Sequence, residues 1–465
     1  GRSSIPTMRP AQIAAWQSIT AFADQHNEPG NFTAFIGWEW SSIPSGANLH
    51  RVVITDGDAA SANTYQPFST LDSMVPEDLW TWLDEITANT DADFIAIPHN
   101  SNISKGYMFD KDTLRGAPFT EDYLAQRMRW ERIAEITQFK GDSETHPDLS
   151  PDDEFADFEG YPFYIQNGYT PYKAGAGDYV RSALKRGLAI EQEQGINPYK
   201  FGVIGSTDSH TGLSSAEETN FWGKMPTDSI PANKQGGWIE KDYPQTSGWA
   251  MSASGLAAVW STENTRESIL AAMKRRETYA TTGPRIGVQF YGGSSLSADD
   301  LGAADLYATA TAKGVPMGGE LNALTEAPSF IVAASKDPVS GNLDRIQIVK
   351  GWLDNNGAQQ EKVYNVAWSG ERALDANGNI PAVGNTVDIS DGSYTNTIGA
   401  EQLASAWTDP DFDPTQPAFY YVRVLQIPTP RHSLYDAIAL ELEHAADQPD
   451  TIQERAYTSS IWYNP

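Results

Sequence analysis

Over about the first 280 residues, short apolar segments alternate with segments of helical periodicity, and this alternation restricts the fold more than any other feature of the sequence. Strands that alternate with helices in this way are typical of βα units. We therefore predict an α/β fold in which residues 1–283 form a mostly parallel sheet or a βα barrel. The predicted helices are 10–25, 76–87, 121–129, 179–194 and 265–276, and the predicted strands are 32–36, 49–54, 94–97, 132–136 and 201–204.

The pattern changes after Gly283 and Pro284. Segments such as 286–290, 345–349 and 419–427 have strand-like character and are separated by turns rich in Gly, Asn, Asp and Pro. Long helical periodicity is missing from this half of the sequence. We therefore predict a β-rich, sandwich-like second domain over residues 284–465.

The net charge excludes some classes of partner. The chain has 61 acidic and 32 basic side chains, which gives a formal charge of −29. Such a surface repels phosphate backbones, so non-specific nucleic-acid binding is not expected. The sequence has no apolar run of the roughly eighteen residues that a membrane span requires. It also has no cysteine, which excludes disulfides, thiolate metal sites and cysteine nucleophiles.

The start of the chain bears on its origin. Gly1-Arg2-Ser3-Ser4 contains neither a start methionine nor the apolar core of a signal peptide. We expect a processed or truncated chain. The acidic composition and the absence of cysteine fit a periplasmic or secreted protein.

Carboxylate and imidazole side chains stand at the ends of four predicted strands of the first domain, and His50 stands at the beginning of the strand 49–54. The carboxyl ends of barrel strands converge on one face, so residues far apart in the sequence meet there. Three histidines and three carboxylates in one place would suit Zn²⁺, Mn²⁺ or Fe²⁺, and the cations would offset the repulsion among the carboxylates. These residues are Glu39, His50, His99, Glu135, Asp208 and His210.

Each of these residues also has a structural interpretation. Glu39 is a candidate ion-pair partner of Arg51, and Asp208 and His210 are candidate caps of the loop after their strand. Carboxylates or imidazoles occur at the ends of four successive predicted strands, and this recurrence favours a metal site. Of the remaining histidines, His26, His432 and His444 are expected to be structural or solvated, and His146 stays unassigned.

Several strings carry a resemblance to the DUF3604 family, and the resemblance extends over nearly the whole chain. This family is in turn similar to the PHP (polymerase and histidinol phosphatase) superfamily, whose members are distorted βα barrels that bind two or three metals and hydrolyse phosphoesters. The strings are Gly37-Trp38-Glu39-Trp40, Pro98-His99-Asn100, Glu135-Ile136-Thr137-Gln138, Gly141-Asp142-Ser143-Glu144, Gly205-Ser206-Thr207-Asp208-Ser209-His210, the segment 279–285 and the segment 420–436.

The resemblance implies a PHP/TIM-like barrel and two or three divalent ions, Zn, Mn or Fe. It assigns Glu39, His50, His99, Glu135, Asp208 and His210 to metal-ligand positions. PHP-like chains begin with a strand that ends in His-x-His, and no such pair occurs in these 465 residues. We therefore expect that an N-terminal segment of the same precursor is missing, and that this chain alone holds one or two ions.

The expected activity is metal-dependent hydrolysis of a small-molecule ester by a metal-activated water. Phosphomonoesters, phosphodiesters, phosphonates and sulfate esters all remain open as substrates. Asp208, His210, Lys140 and Arg285 are the candidate catalytic residues, with Asn100 as a further phosphoryl-binding candidate. Lys140 and Arg285 are equally compatible with surface or junction ion pairs.

Two other functional classes stay open. The 14 tryptophans and 20 tyrosines could supply stacking platforms, as in a carbohydrate- or surface-binding protein. The chain is also compatible with a non-catalytic, structural member of the family. Neither class by itself accounts for the strand-associated carboxylates and imidazoles.

Overall fold

The computed structural model of the protein describes residues 9–165, 170–236, 247–253 and 255–465. These residues form a mixed α/β structure. The helices within them are α1 (Arg9–His26), α2 (Ala59–Ala62), α3 (Pro76–Asn89), α4 (Glu121–Trp130), α5 (Val180–Gln194), α6 (Pro231–Gly236), α7 (Arg266–Arg275), α8 (Leu306–Thr311) and α9 (His432–Ala439).

The strands fall into two groups along the chain. The first group comprises β1 (Ile36–Trp40), β2 (Arg51–Thr55), β3 (Phe94–Pro98), β4 (Ile133–Gln138), β5 (Gly141–Asp142), β6 (Gly202–Gly205), β7 (Leu256–Val259) and β8 (Thr278–Thr281). The second group comprises β9 (Gly287–Gly293), β10 (Gly314–Pro316), β11 (Glu320–Asn322), β12 (Ser329–Ser335), β13 (Leu343–Leu353), β14 (Gln359–Trp368), β15 (Gln402–Thr408), β16 (Ala418–Gln426), β17 (Thr429–Pro430), β18 (Thr451–Ile452), β19 (Arg455–Thr458) and β20 (Ile461–Asn464).

Most predicted helices agree with the structure, because each has an apolar face or a capping signal. Thr120 and Thr265 accept backbone N–H bonds at the starts of α4 and α7, and Pro76 opens α3. The strand predicted over 32–36 is misplaced, since β1 begins only at Ile36. None of the helices in the described ranges has the length and apolar character to cross a membrane.

The prediction of a mostly parallel first domain is wrong. Strands β1, β2 and β3 form an antiparallel sheet. In the second small sheet, of order β5-β4-β6, only β4 and β6 are parallel. A parallel pair requires a crossover of a dozen or more residues, and the link from β1 to β2 is shorter than that. Among the described residues the strands form several sheets and no closed barrel.

The largest sheet spans the two halves of the chain. It has the order β11-β20-β16-β19-β8-β7, and β13 and β14 join it through β16. Its strands β7 and β8 precede residue 283, and β8 pairs with β19 near the C-terminus. A four-stranded sheet, β10-β9-β12-β15, shares an apolar cluster with it, in which Phe290 and Phe330 pack with Tyr420 and Val422.

A buried ion-pair network joins α5 to β16. Arg181 and Arg423 both contact Glu144 and Asp153, and all four side chains are almost fully buried. The hydroxyl of Tyr421 donates to Glu144 and accepts a bond of 2.8 Å from Arg181 Nε. Because Glu144 lies two residues after β5, this network also ties the end of β5 to β16.

Candidate metal centre

Three sequence-predicted ligands meet at one end of the β1-β2-β3 sheet. Glu39 lies in β1, His50 directly precedes β2, and His99 directly follows β3. The antiparallel register places Arg51 opposite both Trp40 and Pro98. Glu39, His50 and His99 are the chain neighbours of these three residues and are therefore brought together. Oε1 of Glu39 lies 2.5 Å from Nδ1 of His50 and 3.2 Å from Nε2 of His99.

This triad has the composition of a metal site. One ligand atom from each of Glu39, His50 and His99 lies within 4.8 Å of the other two. Two imidazoles and one carboxylate form the protein ligand set of several catalytic zinc sites, in which a fourth position stays open. Nε2 of His50 and Nδ1 of His99 are buried and have no hydrogen-bond partner within the part of the chain that the structure describes. The donor set and these unpaired nitrogens fit a divalent cation.

The electrostatics of the triad favour an ionised carboxylate. Burial raises the pKa of Glu39, but hydrogen bonds from His50 and His99 outweigh it and hold the pKa well below its usual range. Burial lowers the pKa of His50. Burial also acts to lower the pKa of His99, but the bond to Glu39 and the nearby charges of Glu135 and Asp208 raise it overall. A cation bound here would displace the proton that these carboxylates stabilise on His99.

Glu135 lies beneath the triad, within β4 rather than at its end. Its Oε1 accepts the backbone N–H of Asn100 at 3.1 Å, and its Oε2 accepts a hydrogen bond from Ser206. Burial raises the pKa of this carboxyl group above its ordinary value. Both oxygens are engaged in protein hydrogen bonds, and the residue is not one of the three converging ligands.

Asp208 is bound by two lysines instead of joining the triad. Its carboxylate contacts the ammonium groups of Lys140 and Lys224, the latter at 2.5 Å. Burial raises the pKa of Asp208, but the two lysines lower it overall, below its ordinary range. Burial and the charge of Lys140 lower the pKa of Lys224 to about 8. We call Lys140 and Lys224 the lysine pair.

His210 stands at the outer side of the lysine pair. Its side chain is 42 % exposed, and its Nδ1 lies 3.0 Å from Lys224 Nζ and 2.9 Å from the backbone oxygen of Asp208. When Nδ1 accepts the hydrogen bond from Lys224, the neutral ring carries its proton on Nε2. His210 thus lies beside the Asp208 carboxylate but outside the triad.

Two residues of the site adopt left-handed backbone conformations. Asn100 has φ of +55° and Asp208 has φ of +54°. Such conformations are uncommon for residues other than glycine, although Asn and Asp tolerate them best. Strained backbone of this kind is concentrated at functional sites. Here the left-handed residues turn the chain directly after His99 and within the loop that follows β6.

The structure does not bring Arg285 to this site. Its side chain is 71 % exposed and lies 3.8 Å from Glu217, while its backbone N–H donates to Asp337. The alternative pairing of Glu39 with Arg51 is wrong, because Arg51 Nε binds Glu131 at 2.9 Å.

The remaining candidates have local partners. The Thr207 hydroxyl accepts the backbone N–H of Ser209, which shapes the loop around Asp208. His432 is buried and bonds to the backbone oxygen of Met251. His444 pairs with Asp450, and His146 lies 3.5 Å from Asp148.

Two residues that contact the carboxylates of the site were not predicted from the sequence. Lys224 lies in a long polar segment whose path could not be predicted, and nothing in its neighbours marks it as a partner of Asp208. Ser206 belongs to the Gly205–His210 string, and its position directly after β6 was the one available sign that it faces Glu135.

Comparison with known proteins gives one match. No curated protein and no solved structure was found to match the chain. The model of a family described as a protein of unknown function (DUF3604) matches residues 3–465. The chain therefore belongs to the DUF3604 family.

Proposed function

We propose that the protein is a metal-dependent hydrolase of phosphoesters, in which Glu39, His50 and His99 hold a divalent cation. The observation that carries this proposal is the convergence of the three ligand atoms within 4.8 Å. The lysine pair beside Asp208 supports it, because a hydrolase of anionic esters needs fixed positive charge next to its metal. Zn²⁺, Mn²⁺ and Fe²⁺ all suit two imidazoles and a carboxylate.

A divalent cation held by the triad would polarise a phosphoryl oxygen and lower the pKa of a water molecule. The chain's own residues supply the other functions. The ammonium groups of Lys140 and Lys224 would bind the non-bridging oxygens of the ester, and Asp208 keeps both lysines in position. A protonated His210 ring would give the proton of Nε2 to the departing oxygen, while its Nδ1–H donates to the backbone oxygen of Asp208 at 2.9 Å.

The charge of the lysine pair favours a strongly anionic substrate. Two ammonium groups face one carboxylate, which leaves one positive charge uncompensated in a protein of net charge −29. We propose phosphomonoesters as the preferred class, ahead of diesters, phosphonates and sulfate esters, because a monoester carries the larger negative charge. A second or third ion at Glu135, Asp208 and His210 would have to displace the lysine pair from Asp208, so we propose one ion, at the triad.

The finer fold is part of the same proposal. We propose that residues 1–283 are an open, distorted relative of the PHP-type βα barrel, followed by a sandwich-like domain over 284–465. Two contacts support a shared active face: Asn100 after β3 donates to Glu135 of β4, and β4 runs parallel to β6. A periplasmic or secreted location remains a proposal from composition.

The test is metal removal followed by reconstitution. The purified protein is treated with a chelator and reloaded with Zn²⁺, Mn²⁺ or Fe²⁺, and hydrolysis of aryl phosphomonoesters, phosphodiesters, phosphonates and sulfate esters is measured. We expect activity to disappear on chelation and to return with at least one metal. Hydrolysis that survives complete metal removal would contradict the proposal. The His444→Ala variant is the control and should keep both metal and activity.

A further inference from the structure

A cavity lined by several carboxylates lies between the loop after β6 and the C-terminal segments, and none of the triad residues lines it. It has a volume of about 210 Å³. Its wall carries the carboxylates of Glu217, Glu218, Asp337 and Glu454 and the side chains of Tyr394 and Tyr435. None of the described residues that line it is a lysine, arginine or histidine. Pro284, Val339 and Pro430 supply apolar wall, and the polar side-chain atoms of the lining residues are all oxygens.

One carboxylate oxygen in this wall is buried without a partner. Glu454 is 1 % exposed, and its Oε2 accepts a hydrogen bond from the hydroxyl of Thr282. Its Oε1 has no hydrogen-bond partner among the described residues. A buried, unpaired carboxylate oxygen is costly, so its presence requires an explanation.

Glu218 is a neighbour of Glu454 in the cavity wall. Its Oε2 accepts the backbone N–H of His432 at 2.5 Å, which anchors the β6 loop to the start of α9. The carboxyl groups of Glu218 and Glu454 are close enough to influence each other's pKa. Two carboxyl groups in such a position repel each other unless a proton or a cation lies between them.

The neighbouring cations do not balance this charge. Arg285 lies 3.8 Å from Glu217, and the guanidinium of Arg431 donates bonds of 2.9 and 2.8 Å to Glu159. Lys234 pairs with Asp436 at 2.8 Å. Burial and the charge of Arg431 hold the pKa of His432 well below its ordinary value, so its ring is neutral. Glu218, Glu454 and Glu159 therefore share a single positive charge, and two negative charges are left over.

In the protein without a bound cation, protonation of the carboxyl groups reduces this excess negative charge. Burial raises the pKa of Glu218 to about 7, against the opposing effect of Arg431. Burial and the neighbouring Glu218 raise the pKa of Glu454 well above its ordinary value. A cation that enters the cavity would displace protons from this pair.

We propose that the cavity binds a divalent cation of the Ca²⁺ type between Glu218 and Glu454. Ca²⁺ takes carboxylate, hydroxyl and water oxygens, which are the donors that this wall supplies. The volume also leaves room for several waters of hydration, at about 30 Å³ each. The ion would fasten the loop that carries Asp208 and His210 to the C-terminal segments, and it would thus stabilise the candidate active site without touching it.

The experiment uses the full chain after chelation. Calorimetric titration with CaCl₂ and with MgCl₂ is run in two buffers of different ionisation enthalpy, and thermal unfolding is followed with and without the ion. We expect saturable Ca²⁺ binding, proton release near pH 7, and a midpoint of unfolding that rises with Ca²⁺ concentration. Glu454→Gln should abolish all three effects, whereas Glu371→Gln, which changes an exposed glutamate, should preserve them.

Three outcomes would overturn the proposal. The first is no binding at millimolar Ca²⁺, which would mean that the two carboxyl groups share a proton only. The second is binding that persists in Glu454→Gln and in Glu218→Gln, the second variant being included in case the first does not fold. The third is loss of Ca²⁺ binding in His99→Gln alone, which would place the ion at the triad.

Discussion

Nε2 of His99 lies 3.2 Å from Oε1 of Glu39, although one residue follows β3 and the other lies within β1. The same oxygen contacts His50, so a single carboxylate oxygen connects both imidazoles. Because Glu39 contacts both imidazoles, a substitution of Glu39 that keeps its size should weaken metal binding without unfolding the protein.

The first prediction concerns Glu39→Gln. The amide keeps the size of the side chain but removes the negative charge and the preferred ligand oxygen. Metal affinity should fall by more than about 100-fold, since changes outside the ligand set alone cost about 10–100-fold. Metal content per chain, measured by elemental analysis after dialysis, checks this prediction. A variant that retains one equivalent of metal would show that the triad is not the binding site.

The second prediction concerns Lys224→Met. Inorganic phosphate should inhibit ester hydrolysis by binding to the lysine pair. The variant should bind phosphate about 10- to 100-fold more weakly, because a hydrogen bond to a charged group contributes about 1.5–3 kcal/mol. The inhibition constant and the separate effects on kcat and KM check this. Lys313→Met, which removes a lysine paired with Asp300 elsewhere, is the control and should have no effect.

The lysine pair also predicts a pH dependence. Burial and the charge of Lys140 lower the pKa of Lys224 to about 8. The ammonium form, which binds the anion, is therefore lost as the pH rises through about 8. Phosphate affinity should fall above this pH in the unmodified protein. In Lys224→Met the same decline should be absent, and a decline of equal size in the variant would assign it to another group.

The third prediction concerns Asp153→Asn in the buried network of Arg181 and Arg423. Burial raises the pKa of Asp153, but Arg423 and Arg181 lower it below its ordinary value of 3.8 overall. A depressed carboxyl pKa stabilises the folded state above 3.8, and this contribution declines as the pH falls below 3.8 towards the native-state value. The variant should lose about 3 kcal/mol at pH 7, since it leaves buried positive charge unpaired.

Denaturant unfolding at a series of pH values checks this third prediction. The difference between the variant and the unmodified protein should be constant from pH 7 to about pH 5 and should shrink below pH 3.8. An exposed aspartate such as Asp391 offers the matched control, and Asp391→Asn should change stability by less than about 0.5 kcal/mol. A difference that is independent of pH would assign the loss to packing.

The fourth prediction compares two glycines with the same backbone angle. Gly141 and Gly30 both have φ of +90°, but a Cβ at Gly141 would lie 2.7 Å from the backbone oxygen of Glu159, whereas nothing lies within 4 Å at Gly30. Both alanine variants are destabilised by the left-handed backbone conformation, and only Gly141→Ala adds a clash with the backbone. It should be the less stable by at least about 1 kcal/mol, measured by thermal unfolding, and should also lose activity because Lys140 precedes it. Equal stability of the two variants would contradict this prediction.

Much of the local structure could be predicted from the sequence. The apolar faces of α3, α5 and α7 and the capping residues Thr120 and Thr265 act over one or two helical turns, so each is visible in a short stretch of residues. The β-rich character of the chain after Pro284 followed in the same way from alternation and turn residues.

The pairing of the strands could not be predicted in this way. Hydrophobic periodicity indicates that a segment is a strand. It does not indicate which other strand pairs with it, or whether the pairing is parallel or antiparallel. For this reason the mostly parallel sheet was wrong, and Glu39 and Glu135 lie within their strands rather than at the ends.

The residue types of the candidate site were determined by the sequence alone: carboxylates and imidazoles beside the strands of an acidic chain without cysteine. Only the tertiary structure decided how they are grouped. It joined Glu39 to His50 and His99 and gave Asp208 to Lys140 and Lys224. Such groupings depend on strand register and on loop paths, which arise from contacts between residues distant in the chain and therefore leave no pattern in any short segment of it.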